Sequence, residues 1–119
     1  IASEKEVSAL IKHPNICRIH EVFETKDRLY IVQECLPGHH LQEKMHTEKF
    51  LAEKVAKEIM KQLLETTAYL HGNGIVHRDI KPKNIQLLDT GFPFELKLTD
   101  FTFAKRVGSM YEDRLTAVV

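Results

Sequence analysis

The sequence has no tryptophan, only two cysteines and four prolines, and no long apolar run. Nothing in it approaches the roughly 20 consecutive apolar residues that a membrane-spanning helix needs. Its charged N-terminus also lacks the basic-then-apolar layout of a signal peptide. Cys17 and Cys35 fit no metal-ligand or redox spacing, so we interpret both as small buried residues. The missing disulfide framework favours a cytoplasmic location.

An excess of charge of one sign is absent too, because seventeen Lys and Arg residues balance seventeen Asp and Glu residues. This balance gives no electrostatic reason to expect nucleic acid or an anionic membrane as a partner. His39, His40 and His46 have no cluster of carboxylates or thiols beside them, which favours a solvated loop over a metal site. The chain does not begin with Met, and we expect it to start inside a longer gene product.

The patterns that are present predict a mixture of helices and strands in one compact unit of 119 residues. Runs rich in β-branched and aromatic residues at 16–23 and 29–32, joined by a polar turn, predict an antiparallel hairpin. Short strands are predicted at 75–76, 85–88 and 96–99.

Helical spacing appears three times along the chain. Val7, Leu10 and Ile11 predict a helix that stops at His13-Pro14-Asn15. A short helix is predicted around residues 41–45. The longest periodic element, residues 53–71, ends at Gly72-Asn73-Gly74 and lacks a good N-cap. Its predicted apolar stripe consists of Val55, Ile59, Met60, Leu63, Leu64, Thr67 and Leu70.

The chemically informative segment is residues 77–84, which reads His-Arg-Asp-Ile-Lys-Pro-Lys-Asn and is followed downstream by Asp100-Phe101. A lone His-Arg-Asp triplet is common, but the eight-residue loop with a correctly ordered Asp-Phe is far more specific. With these motifs the chain resembles the eukaryotic protein kinases. The Lys-Pro after Asp79 is similar to the serine/threonine form of the loop. Segments around His13 and Tyr30 resemble the calcium/calmodulin-dependent and calcium-dependent branch, although residues 101–107 also resemble the cyclic-nucleotide-dependent kinases.

The resemblance implies roles for four residues of these motifs. Asp79 is the catalytic base that orients the substrate hydroxyl, and Lys81 is a catalytic cation that also contacts the γ-phosphate of ATP. Asn84 and Asp100 bind Mg²⁺ and, through it, the nucleotide. The implied cofactors are therefore ATP and Mg²⁺, and the implied partner is a protein substrate phosphorylated on serine or threonine.

The implied fold class is α+β: an incomplete protein-kinase-like fold. Residues 1–34 would form the end of the small lobe, with its C-helix and hairpin, residues 35–40 the hinge region, and residues 41–119 the start of the helical lobe through part of the activation segment. Regulatory segments would lie outside this chain. No glycine-rich loop or phosphate-anchoring strand lysine is present, so we expect the chain by itself to have no useful phosphotransferase activity.

The resemblance also implies a nucleotide site next to the hinge. Gln33 would be the gatekeeper, Glu34 and Leu36 would offer backbone groups to adenine, and Gln86 would lie under the ring where an apolar side chain is usual. A glutamate of the first helix would pair with the strand lysine. An ungapped register selects Glu4, whereas Glu6 would place Leu10 at an apolar position.

Three further positions depart from the family pattern. Thr102 replaces the glycine after Asp-Phe, and its stiff β-branched side chain should restrict reorientation of Asp100. His40 and Lys83 stand where acidic residues often recognise a basic substrate residue, which argues against a preference for upstream arginine. Three functions stay open: part of an active kinase, a pseudokinase-like binding module, or a fragment that does not fold alone.

Overall fold

The computed structural model describes residues 11–88 and 94–107. The predicted first helix, with Glu4 and Glu6, lies outside the described residues apart from Ile11, which is not helical. The first element is an antiparallel hairpin of β1 (Ile19–Glu24) and β2 (Leu29–Gln33), as the sequence predicted. Its turn is closed by the Thr25 N–H, which donates to the Arg28 carbonyl at 2.8 Å.

The second sheet has three antiparallel strands. It consists of β3 (His39–His40), β5 (Ile85–Leu87) and β6 (Leu96–Leu98), in the order β3-β5-β6. The expected solvated loop at the two histidines is therefore wrong in one respect, because their backbone pairs with β5 while their side chains stay exposed. Ahead of the hairpin, Ile16 forms a parallel bridge to Leu98 and so joins the N-terminal segment to the sheet.

Two helices pack beside this sheet. Helix α1 (Leu41–Glu48) is longer than predicted, whereas α2 (Glu53–Gly72) matches the prediction to within one residue. Ala52 precedes α2 and makes no side-chain cap, as expected. At the other end, the Gly74 N–H donates to the His71 carbonyl at 3.0 Å, and Gly74 has a φ of 72°. A residue just past a helix end in this left-handed region favours glycine.

The buried face of α2 differs from the predicted stripe. Met60 and Leu64 are 52% and 62% exposed, whereas Gln62 and Thr66 are 9% and 0% exposed. The Gln62 side chain accepts hydrogen bonds from the Leu96 N–H and the Asn15 amide at 2.9 and 3.0 Å, and donates to the Phe94 carbonyl at 2.7 Å. Leu96 and Phe94 belong to β6 and the residues before it, and Asn15 to the N-terminal segment, so the polar side of the helix turns inward to meet them.

The remaining strands, β4 (Ile75–Val76) and β7 (Lys105–Arg106), pair with each other, and the second was not predicted. Cys17 is buried as expected, but Cys35 is exposed, so the interpretation of both cysteines as buried is wrong for the second. No helix in the described ranges is long and apolar enough to cross a membrane. The apolar core lies between α2 and the sheet: Ile16, Leu41, Ile59, Leu70, Ile75, Ile85, Leu87, Leu96, Leu98, Phe101 and Ala104.

Candidate active site

The loop between β4 and β5 brings three of the predicted site residues together. The Lys81 Nζ is 3.5 Å from the Asp79 Oδ1. Asn84 donates through its amide nitrogen to the Asp79 backbone oxygen at 2.9 Å and to Oδ2 at 3.0 Å. One oxygen of the Asp79 carboxylate thus faces a cation and the other an amide. This arrangement fixes the carboxylate and leaves the amide oxygen as the end of Asn84 that can contact a metal ion.

Backbone geometry explains how so short a loop achieves this. Arg78 adopts a φ of 69°, an uncommon left-handed conformation, and its Nε donates to the Phe103 carbonyl at 2.7 Å. Pro82 opens a 3₁₀ turn (Pro82–Asn84), a position that suits its fixed φ and missing N–H. The Asn84 N–H closes the turn on the Lys81 carbonyl at 2.8 Å.

His77 connects this loop to the segment that contains Asp100. Its Nδ1 accepts the Asp79 N–H at 3.0 Å, so the proton of the neutral ring is on Nε2, which lies 3.0 Å from the Thr99 carbonyl. Burial lowers the pKa of His77, which favours this neutral form. The ring also packs edge-on against Phe101, with 4.6 Å between centroids. The two polar contacts of His77 had no signal in the sequence.

Asp100 is exposed, has a φ of 56°, and is held by Thr102. The Thr102 hydroxyl donates to the Asp100 Oδ1 at 2.5 Å, and its backbone N–H donates to the same oxygen at 3.2 Å. The hydroxyl is the largest cause of a lowered pKa for this carboxyl, since both hydrogen bonds favour the charged form. A threonine two residues after an aspartate was the sequence signal for this contact.

The predicted nucleotide residues have different contacts around residues 35–40, the segment predicted to be the hinge. The Glu34 side chain accepts the Arg18 N–H at 2.8 Å and pairs with Lys97 at 2.9 Å. These hydrogen bonds keep the pKa of Glu34 below its usual range, although desolvation, the largest single influence, acts in the opposite direction. Gln86 is buried, and its amide nitrogen donates to the Pro37 carbonyl at 3.1 Å. Leu36 is half-buried.

A cavity of about 200 Å³ lies between the hairpin and the Asp100 segment. It is lined by Cys17, Ile19, Ile31, Gln33, Thr99, Asp100 and Phe101. The structure thus brings Asp79, Lys81 and Asn84 into direct contact and links Asp100 to them through His77. Glu34 contacts Arg18 and Lys97, Gln86 contacts Pro37 of the predicted hinge segment, and Glu4 lies outside the described residues.

Asp100 and Asn84 supply the oxygen donors that could hold Mg²⁺. Within residues 11–88 and 94–107 no group of three or more His, Cys, Asp or Glu side chains could hold a metal ion without help. Magnesium is commonly held by one or two protein oxygens together with substrate phosphates and water. The Asp100 carboxylate and the Asn84 amide oxygen are donors of that kind, so these residues fit the ion when it arrives with a phosphate ligand.

The family model described as the protein kinase domain matches residues 1–119. The chain belongs to the protein kinase family. This membership confirms the resemblance and the incomplete α+β kinase fold that the sequence predicted, since the described elements mix helices and strands in the same way.

Curated relatives of this kinase chain include serine/threonine kinases. A probable myosin light chain kinase of Dictyostelium discoideum is 43% identical over 91% of the chain, and a probable serine/threonine-protein kinase of the same organism is 44% identical over 88%. Calcium/calmodulin-dependent protein kinase type IV of Mus musculus is 37% identical over 90%. The chain spans only 34%, 18% and 23% of these three proteins.

Proposed function

We propose that this chain is part of a kinase that transfers the γ-phosphoryl group of ATP to serine or threonine of protein substrates. The observation that carries the proposal is the Asp79 carboxylate, held between Lys81 at 3.5 Å and Asn84 at 3.0 Å. A base fixed in this way can orient an attacking hydroxyl, which is most of what phosphoryl transfer requires of a protein.

Each residue has a distinct task in this proposal. Asp79 accepts the hydrogen bond, and then the proton, of the substrate hydroxyl. Lys81 is close enough to Asp79 that its ammonium group can face both the carboxylate and an incoming phosphate. His77 holds the Asp79 N–H and so fixes the position of the base without touching substrate.

The nucleotide would bind between the hinge and Asp100. Backbone groups of Glu34 and Leu36 would contact adenine, Gln86 would lie below the ring, and Asn84 and Asp100 would hold Mg²⁺. When bound, the ion neutralises phosphate charge and fixes the phosphate geometry. We further propose residues 1–34, 35–40 and 41–119 as small-lobe, hinge and helical-lobe segments, and a cytoplasmic location without nucleic-acid or membrane partners.

The proposal is tested in the full-length protein with Asp79→Asn and, as a matched control, Asp27→Asn in the exposed hairpin turn. Transfer of label from ATP to a protein substrate should fall by about 10²–10⁴-fold in the first variant, the usual contribution of a general base. It should not change in the second. Equal loss in both variants, or full activity of Asp79→Asn, would refute the role of Asp79.

A pseudokinase-like binding module is the second candidate, and the Thr102 hydroxyl on the Asp100 carboxylate favours it. A hydrogen bond already made to a metal ligand must be rearranged or shared when the ion binds. Thermal unfolding separates the two candidates, because ligands that bind the folded state raise the midpoint. Stabilisation by ATP only in the presence of Mg²⁺ supports the kinase, whereas stabilisation that is the same without Mg²⁺ supports the binding module.

A further inference from the structure

A second cavity, of about 500 Å³, opens beside the catalytic loop. One wall is formed by α1 and the residue after it, and the other by the start of the 3₁₀ turn. It is lined by Gln42, Met45, His46, Lys49, Lys81, Pro82 and Lys83. Its size lies within the range of ligand-binding clefts.

The lining has a strongly one-sided charge. Three lysines and a histidine contribute to it, and no Asp or Glu does. The cavity lining is therefore more basic than the chain as a whole, in which basic and acidic residues are equal in number. Such an accumulation of cations in a concave surface attracts anions more strongly than the same charges spread over a convex one.

The three cavity lysines differ in their ion pairs. The Lys81 Nζ lies 3.5 Å from the Asp79 carboxylate. Lys49 and Lys83 form no ion pair with the described residues. Their charges are therefore uncompensated by the neighbouring protein and remain open to an external anion.

Lys49 lines the cavity in a left-handed backbone conformation. Lys49 has a φ of 62°, and the Phe50 N–H donates across it to the Glu48 carbonyl at 2.6 Å, which makes a tight three-residue turn at the end of α1. A lysine in this conformation is strained where glycine would not be. Because of this turn, α1 ends at the cavity wall.

Lys81 lies on the cavity wall and also within 3.5 Å of Asp79. A peptide that presents its hydroxyl to Asp79 would therefore place a neighbouring residue in this cavity. We propose that the cavity binds an anionic residue of the protein substrate, an Asp or Glu carboxylate or a phosphorylated side chain, close to the residue that is phosphorylated. This inference rests on the proposed phosphotransfer and adds the substrate class to it.

The experiment measures binding of fluorescent peptides to the full-length protein by anisotropy, without ATP. Matched peptides of equal length carry a central serine flanked by Glu, by phosphoserine or by Arg. We expect the anionic peptides to bind more tightly than the Arg peptide, and added salt to reduce the difference, because exposed charges are screened. Tighter binding by only one anionic peptide supports the proposal and identifies the carboxylate or the phosphate as the source of the charge.

The decisive variant is Lys83→Glu, and the control with the same charge change is Lys61→Glu, on the exposed side of α2 and not on the cavity wall. Lys83→Glu should weaken anionic peptides by about five- to tenfold and strengthen the Arg peptide, whereas Lys61→Glu should change both by less than about twofold. A gain for the Arg peptide cannot come from a misfolded variant.

Equal binding of Glu and Arg peptides, equal effects of the two lysine variants, or no peptide binding at all would overturn the inference. Phosphoryl transfer is assayed separately on the same peptides. Charge-dependent binding without transfer would leave the cavity assignment intact and refute the proposed activity. Equal transfer to all the peptides would support the proposed activity and refute the cavity assignment.

Discussion

Thr102 directs two hydrogen bonds to a single oxygen of Asp100. The sequence predicted that a β-branched residue here would stiffen the segment, but stiffness alone does not reveal where the hydroxyl points. The observed contact gives the residue a direct electrostatic effect on the proposed metal ligand. Asp100 keeps its second oxygen, Oδ2, for a cation, so the hydroxyl and a metal ion can share the carboxylate.

Thr102→Val tests this contact, because valine keeps the β-branched shape and removes the hydroxyl. We expect the pKa of Asp100 to rise towards its ordinary value, which the carboxyl ¹³C chemical shift followed against pH would report. Thr102→Ser keeps the donor and should leave the pKa low. Because the folded-state pKa is depressed, the contact stabilises the fold above the ordinary carboxyl pKa, and this effect is lost as the pH falls through the lower folded value. An unchanged pKa in Thr102→Val would contradict the assignment.

His77 gives stability a pH dependence of its own. Its pKa is lowered by burial, so the unfolded chain binds a proton more readily than the folded one. Stability is therefore full above the ordinary histidine pKa of about 6.5 and falls as the pH drops below it. His77→Phe should reduce this acid-side slope in urea unfolding curves. Some slope should remain, since burial also lowers the pKa of His13.

The same variant should be less stable above pH 8, where the proton no longer matters. It leaves the part-buried Asp79 N–H and Thr99 carbonyl without their partner, at a cost of about 1 kcal/mol for each hydrogen bond. A pH slope identical to that of the unchanged protein would show that His77 does not carry the linkage.

At the scale of elements, the bounds of α2 were predictable from the sequence, but its buried face was not. Its bounds follow from a long periodic run and a Gly-Asn-Gly ending, which are local properties. Its buried face does not, because Gln62 is buried through hydrogen bonds to Asn15 and Leu96, which are distant in sequence. Met60 and Leu64 are apolar but exposed, so the apolar stripe predicted for α2 included residues from its exposed face.

The glycines at the end of α2 provide a matched pair for substitution. A Cβ at Gly74, where φ is 72°, would lie 3.1 Å from the Val107 carbonyl oxygen, whereas a Cβ at Gly72 would meet nothing within 4 Å. Gly74→Ala should destabilise the fold by about 1–2 kcal/mol through left-handed strain. Gly72→Ala should stabilise it by about 0.4–1 kcal/mol by restricting the unfolded chain. Chemical denaturation measures both, and equal effects would contradict this account of the helix end.

At the scale of the molecule, the hairpin leaves much apolar surface exposed. Phe23 and Tyr30 stack with 5.0 Å between centroids and are about 40% exposed, and Ile31 and Val32 are exposed as well. Exposed apolar patches of this kind, on a chain without net charge at neutral pH, favour self-association.

We therefore expect the chain, expressed by itself, to self-associate at pH 7. Sedimentation velocity should detect this in reducing buffer, which prevents disulfides through the exposed Cys35. Ile31→Lys should shift the population towards monomer, while Glu24→Lys, an exposed polar position of the same hairpin, should do so less. A monomer at all concentrations would refute the expectation.

The family of the whole chain was predictable because residues 77–84 form a contiguous motif with Asp100-Phe101 downstream, and this pattern identifies the family without any knowledge of the fold. The hairpin was predictable from β-branched runs around a polar turn. Contacts between distant segments were not predictable, such as the pairing of β4 with β7 or the hydrogen bond from Gln86 to the Pro37 carbonyl. Those depend on which surfaces meet once the chain is compact.

The Gln86 contact has a consequence for inhibitor chemistry. A compound that mimics adenine would meet, on the floor of the proposed nucleotide site, an amide whose nitrogen is already committed to the Pro37 carbonyl. Flat hydrocarbon rings gain affinity from apolar floors, and here they would have to desolvate that amide. Scaffolds with a hydrogen-bond donor on the lower face, directed at the amide oxygen, should therefore favour this kinase over relatives whose floor is apolar.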